Sequence, residues 1–302
     1  MTATRAPLAA FFAMTKKALD AIGRFIEEFG GDRVAFVMSH PDDGVVPDTF
    51  EDIQALCARH SVPFLRRGDP FSLDGVVAFA IGWRWLIDVD GEDPARQLLV
   101  FHDSVLPRYR GFAPLVAMLI NGENHLGVTC IRAADDYDRG PVVDQMTVEV
   151  TYPMRIGEAI DLVAPLYGEI LVRLWSKLAA GEVLVGTPQQ DELATYSLWR
   201  DAGDYRIRWH WDAARVRRFI DATGRPFRGA SCVVDGRLVR ITEAREVEDV
   251  TVEHRDVGKV IFVRDGLPVV VCGSGLLRID DAIDDVTGES ILPLARFRTR
   301  FG

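Results

Sequence analysis

Apolar positions along the first 180 residues follow two periods. Short continuous runs at 8–14, 33–38, 62–65, 76–81 and 98–101 read as strands buried on both faces. After the first of them Ala18, Leu19, Ile22, Phe25, Ile26 and Phe29 recur at helical spacing, and Gly30-Gly31 stops the helix. Thr49 is placed to cap a second helix carrying Phe50, Ile53, Leu56 and Cys57. Further helices are predicted over 112–121, ended by Asn121-Gly122, and over 156–180. A strand at 127–131 and a hairpin-like element through 141–143 and 146–150 lie between them. Strands alternating with helices predict an α/β fold with a doubly wound, mostly parallel sheet. In such a sheet ligands gather at the carboxyl ends of the strands.

The pattern changes near residue 184. Residues 186–204 are polar and aperiodic and read as a linker between a first domain over 1–185 and a second over 205–302. The second part has one helix, about 212–222, and then short β-like runs at 230–234, 238–241, 259–263, 269–272 and 276–279. Asp235-Gly236, Asp265-Gly266 and 273–275 supply the turns, a pattern that predicts a small OB-like β-barrel.

Composition narrows the classes. A chain of 302 residues accommodates one large domain and a smaller one, and 48% hydrophobic with 26% charged residues is ordinary for a globular protein. The net charge of −10 argues against a nucleic-acid partner, which calls for a basic surface. Arginines do cluster in the second part (Arg206, Arg208, Arg215, Arg217, Arg218, Arg225, Arg228, Arg237 and Arg240, with Trp209 and Trp211), and we read them as a solvated face with ion pairs. Four scattered cysteines, Cys57, Cys130, Cys232 and Cys272, lack disulfide or zinc spacing and predict reduced core residues in a cytoplasmic protein. The apolar run 8–14 behind Arg5 is too short to span a membrane and leads into Lys16-Lys17, so we read it as a core strand rather than a signal peptide. No GxGxxG follows it and no GxxxxGK[ST] occurs, which excludes the usual dinucleotide and P-loop sites. No membrane partner is expected, and a homodimer is left open.

Candidate chemistry lies in two polar clusters. Val100-Phe101-His102-Asp103-Ser104-Val105-Leu106-Pro107-Arg108-Tyr109-Arg110-Gly111 leaves the end of a strand, and Asp135-Asp136-Tyr137-Asp138-Arg139-Gly140-Pro141 follows the next. Together they resemble the folate-dependent formyltransferase family, whose signature is Asn-x-His-x-Ser-Leu-Leu-Pro followed by an Asp in a loop before Gly. His102, Ser104, Leu106, Pro107 and Arg110-Gly111 match, as do Asn121-Gly122-Glu123, Gly127-Val128-Thr129, and Asp138 ahead of Gly140. Residues 226–230 and 270–279 are similar to the barrel that follows the catalytic domain in methionyl-tRNA formyltransferases and some sugar formyltransferases.

The resemblance implies attack of an acceptor amine on the formyl carbon of 10-formyl-tetrahydrofolate through a tetrahedral intermediate. Such a reaction needs a base, an oxyanion donor and a proton for the leaving nitrogen. It assigns His102 as base or shuttle, Asp138 as its orienting partner and Ser104 as a catalytic neighbour. The folate pterin would lie against Ile81, Gly82, Trp83, Trp85 and Leu86 and against Ala133, Ala134, Asp135, Tyr137 and Asp138. The acceptor would meet Asp103, Pro107, Tyr109, Arg110 and Gly111, with no metal involved.

One position departs from the signature: Val100 stands where the family has Asn, and valine cannot donate to an oxyanion. Either His102 or Ser104 replaces the donor, or the acceptor or acyl donor is unusual, or the protein is a non-catalytic binder of folate or a nucleotide. The expected acceptor is a small amine, first a nucleotide-linked amino sugar. Methionyl-tRNA and a hydroxyornithine-type amino acid are the alternatives.

Overall fold

The computed structural model describes residues 7–87 and 98–302, which form two compact units. One comprises the chain through Pro114 together with His125–Glu149 and Ala159–Leu198, and the other comprises Leu115–Asn124, Val150–Glu158 and Trp199–Gly302. Residues 186–198, polar enough to suggest a linker, belong to the first unit. Gln189, Asp191 and Thr195 within them hydrogen-bond to the loops around His102.

The first unit is built on a seven-stranded sheet. In chain order its strands are β1 (Leu8–Ala13), β2 (Val34–Ser39), β3 (Phe64–Arg66), β4 (Val76–Ile81), β5 (Leu98–His102), β7 (His125–Arg132) and β8 (Val142–Glu149). The spatial order is β3-β2-β1-β4-β5-β7-β8. The first five strands run parallel, and β7 pairs antiparallel with β5 and β8. A short pair, β6 (Arg110–Gly111) with β9 (Tyr196–Ser197), lies outside it. The helices of the chain are α1 (Thr15–Phe29), α2 (Phe50–Arg59), α3 (Pro114–Asn121), α4 (Ile156–Ala179) and α5 (Ala213–Thr223). Thr49 does not cap α2 with its side chain. Asp48 Oδ1 instead accepts from Phe50 N, the first donor of the helix, at 3.2 Å.

Strand periodicity sorts the core into two layers. One face carries Ala10, Phe12, Phe36, Met38, Ala78, Ala80 and Leu98, with Trp83, Ile87, Val100 and Ala133 packed against them. The other carries Phe11 and Phe79, stacked at 5.6 Å, under Phe25 of α1 and Trp175 of α4. Phe101 joins this second layer, stacking on Tyr167 of α4 at 5.4 Å. Along β5, therefore, Val100 and His102 share one face and Phe101 holds the other. All four cysteines are free and buried.

In the second unit Asp212 caps α5, its Oδ1 accepting from Arg215 N at 2.7 Å. Strands β10 (Ala230–Val234), β11 (Arg237–Val247), β12 (Val260–Arg264), β13 (Leu267–Val271) and β14 (Leu276–Asp284) form an antiparallel sheet in the order β10-β11-β14-β13-β12. The expected barrel is realised only as this sheet, since its edge strands β10 and β12 do not pair with each other. Phe301 instead bridges to Val234 and Arg300 to Lys259. Among the described residues no helix is long and apolar enough to cross a membrane.

Candidate active site

β5 ends at His102, and the next turn folds back over the ring. His102 is 7% exposed, and its Nε2 lies 2.7 Å from the Tyr109 carbonyl. A carbonyl only accepts, so Nε2 carries a hydrogen and the proton-transferring atom is Nδ1. Nδ1 faces Asp138 Oδ1 at 3.4 Å. The other carboxylate oxygen, Oδ2, accepts from Gly111 N at 2.7 Å, which aims the carboxylate at the imidazole.

Tyr109, Gly111 and Asp138 all sit in the left-handed region, with φ of 61°, 98° and 56°. Asp tolerates that conformation, but for Tyr109 it costs about 1–3 kcal/mol. Tyr109 N donates to Thr195 Oγ1 at 2.9 Å, and its carbonyl holds the imidazole. Arg110 N donates to Thr195 O, and Phe112 N donates to Ser197 O, so β9 clamps the whole turn. At Gly111 a Cβ would come within 2.4 Å of Ser197 O. Gly111→Ala is therefore expected to cost about 1–3 kcal/mol of stability, read as a lowered melting temperature, and to loosen Asp138. An unchanged melt would show that β9 yields.

The Asp138 loop is held from below by Gln189. Its Nε2 donates to Asp138 O at 2.7 Å and to Gly140 O at 2.8 Å, while its Oε1 accepts from Arg110 Nε and NH2. Arg110 NH1 reaches Asp191 at 2.8 Å, and Arg110 is only 1% exposed. Arg110 is thus a brace for the loop, where an acceptor contact had been expected. Ser104 is likewise committed, fully buried with its hydroxyl donating to Arg108 O at 2.7 Å. One hydroxyl proton serves one acceptor, so Ser104 cannot replace the missing donor.

Asp103 also leaves the acceptor side. It points toward α1 and α4, ion-paired with Lys17 and hydrogen-bonded by the Tyr167 hydroxyl. Burial pushes the Asp103 carboxyl up, but Lys17 and Tyr167 outweigh it and hold it below the ordinary range. Burial and the same carboxylate push Tyr167 well up. A depressed folded value means that Asp103 stabilises the fold above its unfolded value, near 4, and that this stabilisation is lost as pH falls through the folded value. Lys17→Met strands the carboxylate, with an expected loss of about 3–5 kcal/mol. Acid unfolding followed by circular dichroism should begin at higher pH in that variant, and an unmoved transition would refute the coupling.

Trp83 meets Phe12 at 5.5 Å and Trp85 at 5.1 Å, and its Nε1 is buried without a hydrogen-bond partner. Trp85 packs edge-on against His40 at 4.9 Å beneath the Arg67 guanidinium. Ile81 is fully buried in β4, so the surface begins at Gly82, which is partly exposed. Leu86 and Tyr137 are exposed, as are Ala134 and Asp135, and Ala133 packs against the same core layer as Val100. Pro107 accepts from Thr195 N through its carbonyl. The structure thus gathers His102, Asp138, Tyr109 and Gly111, and separately Val100, Trp83 and Ala133. Sequence reading missed Lys17, Tyr167, Gln189 and Thr195. The paired Gln189-Gln190 in an otherwise aperiodic stretch was the one hint.

Comparisons with known proteins identify the family. Residues 89–173 match the formyl transferase family and residues 201–288 the formyl transferase C-terminal domain. The chain belongs to the formyltransferase superfamily. A methionyl-tRNA formyltransferase of Sorangium cellulosum is 30% identical over 190 residues, 62% of this chain and 60% of that protein. One from Caldanaerobacter subterraneus is 32% identical over 180 residues, 59% and 56% of the two chains. The chain thus spans about 60% of the length of the curated relatives it matches. Among solved structures, the sugar 3N-formyl transferase WlaRD superposes with a TM-score of 0.68 at 12% identity, covering 91% of this chain and 97% of that one. A methionyl-tRNA formyltransferase of Clostridium thermocellum gives 0.54 at 15%, covering 79% and 93%. These relatives correct one expectation. Net negative charge argued against a nucleic-acid partner, yet the curated relatives are methionyl-tRNA formyltransferases. Overall charge averages over the surface and does not report on a local patch.

Proposed function

We propose that the protein transfers a formyl group from 10-formyl-tetrahydrofolate to a primary amine carried on a nucleotide-bearing acceptor. The observation that carries this reading is the His102–Asp138 pair, with Nε2 tied to Tyr109 and Nδ1 at 3.4 Å from the carboxylate. The bound folate supplies the activated formyl carbon. Trp83, Ala133 and the loop through Asp138 would hold its pterin, and the unpartnered Trp83 Nε1 suits an acceptor on a heterocycle edge. Tyr109, Gly111 and Pro107 would line the acceptor side. His102 would take the amine proton at Nδ1 while Asp138 keeps the ring oriented. With Val100 silent and Ser104 committed, protonated Nδ1 is the side-chain donor left for the developing oxyanion. Within this reading the second unit is an accessory OB-like barrel with residues 299–302 as its closing segment, and a cytoplasmic setting suits both the folate and the free thiols.

For the acceptor, the curated relatives favour an aminoacyl-tRNA. A nucleotide-linked amino sugar is the second reading, supported by the more complete superposition on WlaRD. Tetrahydrofolate release should be followed with methionyl-tRNA and with a panel of nucleotide-linked amino sugars. Turnover of the tRNA selects the first reading, and turnover of a sugar selects the second. Folate binding without turnover of any amine sinks both.

A further inference from the structure

One stretch of chain borders both halves of the His102–Asp138 pair. At one end Thr187 is bridged to Val142 of β8, each N donating to the other's carbonyl at 2.8 Å. At the other, Tyr196 and Ser197 pair with Arg110 and Gly111 in the short β6–β9 ladder. Residues 187–197 are thus tied at both ends. Between the ties, Gln189 and Thr195 each serve one of the loops that meet at His102.

Thr195 serves the Nε2 side. Its hydroxyl accepts from Tyr109 N at 2.9 Å, its own N donates to Pro107 O at 3.3 Å, and its carbonyl accepts from Arg110 N at 2.9 Å. Ser197 Oγ lies 3.4 Å from both Tyr109 O and Arg110 O. These bonds hold Tyr109 at φ 61°, a conformation that persists only where its surroundings over-determine it. The carbonyl so placed is the one that fixes Nε2. Gln189 serves the Nδ1 side. Its carboxamide spends both hydrogens on Asp138 O and Gly140 O and its oxygen on the Arg110 guanidinium, so a flipped amide would lose every bond. Gly111 N, next along from Arg110, holds Asp138 Oδ2. Asp191 closes the network from the surface, pairing with both Arg110 and Arg139.

We propose, resting on the formyl-transfer reading, that Gln189 and Thr195 are positioning residues for the reaction. From one strap they set both sides of the His102 imidazole, acting through Asp138 and Tyr109. The Nδ1–Asp138 contact of 3.4 Å is longer than a well-formed hydrogen bond, so the ring's place depends on what holds Tyr109 O and the Asp138 loop. With Val100 unable to donate, the same imidazole moves the amine proton and faces the oxyanion. An error in its orientation is therefore felt in both roles.

Proton exchange followed by NMR on the full chain tests this without folate or amine. The reporters are the His102 Nε2 proton, identified as the imidazole resonance that His102→Ala removes, and the Gly111 amide proton. Thr195→Val should speed exchange of the first, and Gln189→Met that of the second, each by roughly tenfold. Thr195→Ser, which keeps the hydroxyl, should exchange as the native chain does, and so should Gln190→Ala, an exposed neighbour. Gln189→Glu keeps the acceptor for Arg110 but loses the donors, and it should match Gln189→Met, which guards against a misfolded variant. Single-turnover transfer to the accepted amine should slow by roughly ten- to hundredfold in Thr195→Val and Gln189→Met. In an Asp138→Asn background Gln189→Met should slow it no further, whereas a mere loss of stability would persist there. Native exchange at one reporter removes that residue from the proposal, and native exchange at both overturns it. Native rates in variants whose exchange has risen overturn it too. If the native chain turns over no amine, the formyl-transfer reading falls, and exchange still decides whether the strap holds the pair.

Discussion

His102→Ala should lower formyl transfer by roughly a hundred- to ten-thousandfold, the usual contribution of a positioned acid–base group. Three neighbouring side chains are committed elsewhere. Ser104 donates to Arg108 O, Arg110 is locked by Gln189 and Asp191, and Asp103 faces Lys17. None of these three is placed to inherit proton transfer once the imidazole is gone. Asp138→Asn should be nearly as severe. The amide can still accept from Gly111 N, but its NH2 would donate to Nδ1 and hold that nitrogen unprotonated. Tyr109 O already keeps the hydrogen on Nε2. Single-turnover rates with the accepted amine, alongside melting curves, test both variants. A folded His102→Ala enzyme retaining a third of its rate would remove His102 from the mechanism.

Val100→Asn should raise the rate at least tenfold, toward the hundred- to thousandfold that one oxyanion donor is worth. Val100 and His102 project from the same face of β5, so a carboxamide at 100 would lie beside the imidazole. The substitution puts a polar group into the apolar layer that Val100 shares with Trp83, Ile87 and Ala133, at a cost of about 1–3 kcal/mol. The variant should therefore melt lower while turning over faster. A folded variant with no gain in kcat would mean that the oxyanion is already served by Nδ1 alone, or that the transferred group is not formyl.

Much of the fold was legible because burial writes itself into periodicity. The runs at 8–14 and 76–81 became β1 and β4, and residues 15–29 became α1 without adjustment. Both kinds of element are short-range patterns that a covered sheet imposes on the chain. The polar stretch 186–204 was not legible, because Gln189 and Thr195 serve groups far away in sequence. A side chain that hydrogen-bonds a distant loop leaves no period behind.

The second unit gave a mixed result for the same reason. Its five strands and tight turns are local and were anticipated, whereas whether the sheet closes depends on where residues 299–302 lie. Net charge misled about nucleic acid because it sums over the whole surface and does not report on a local patch.

By itself the sequence determined the strand–helix alternation, the superfamily signature through His102 and Asp138, and the departure at Val100. Those are matters of residue identity and short-range order. Tertiary structure alone decided which nitrogen of His102 is available, and that Ser104, Asp103 and Arg110 are tied to Arg108 O, to Lys17 and Tyr167, and to Gln189 and Asp191. Each of these depends on a partner remote in the chain, and a hydrogen bond or ion pair is decided by distance in space rather than distance along the sequence.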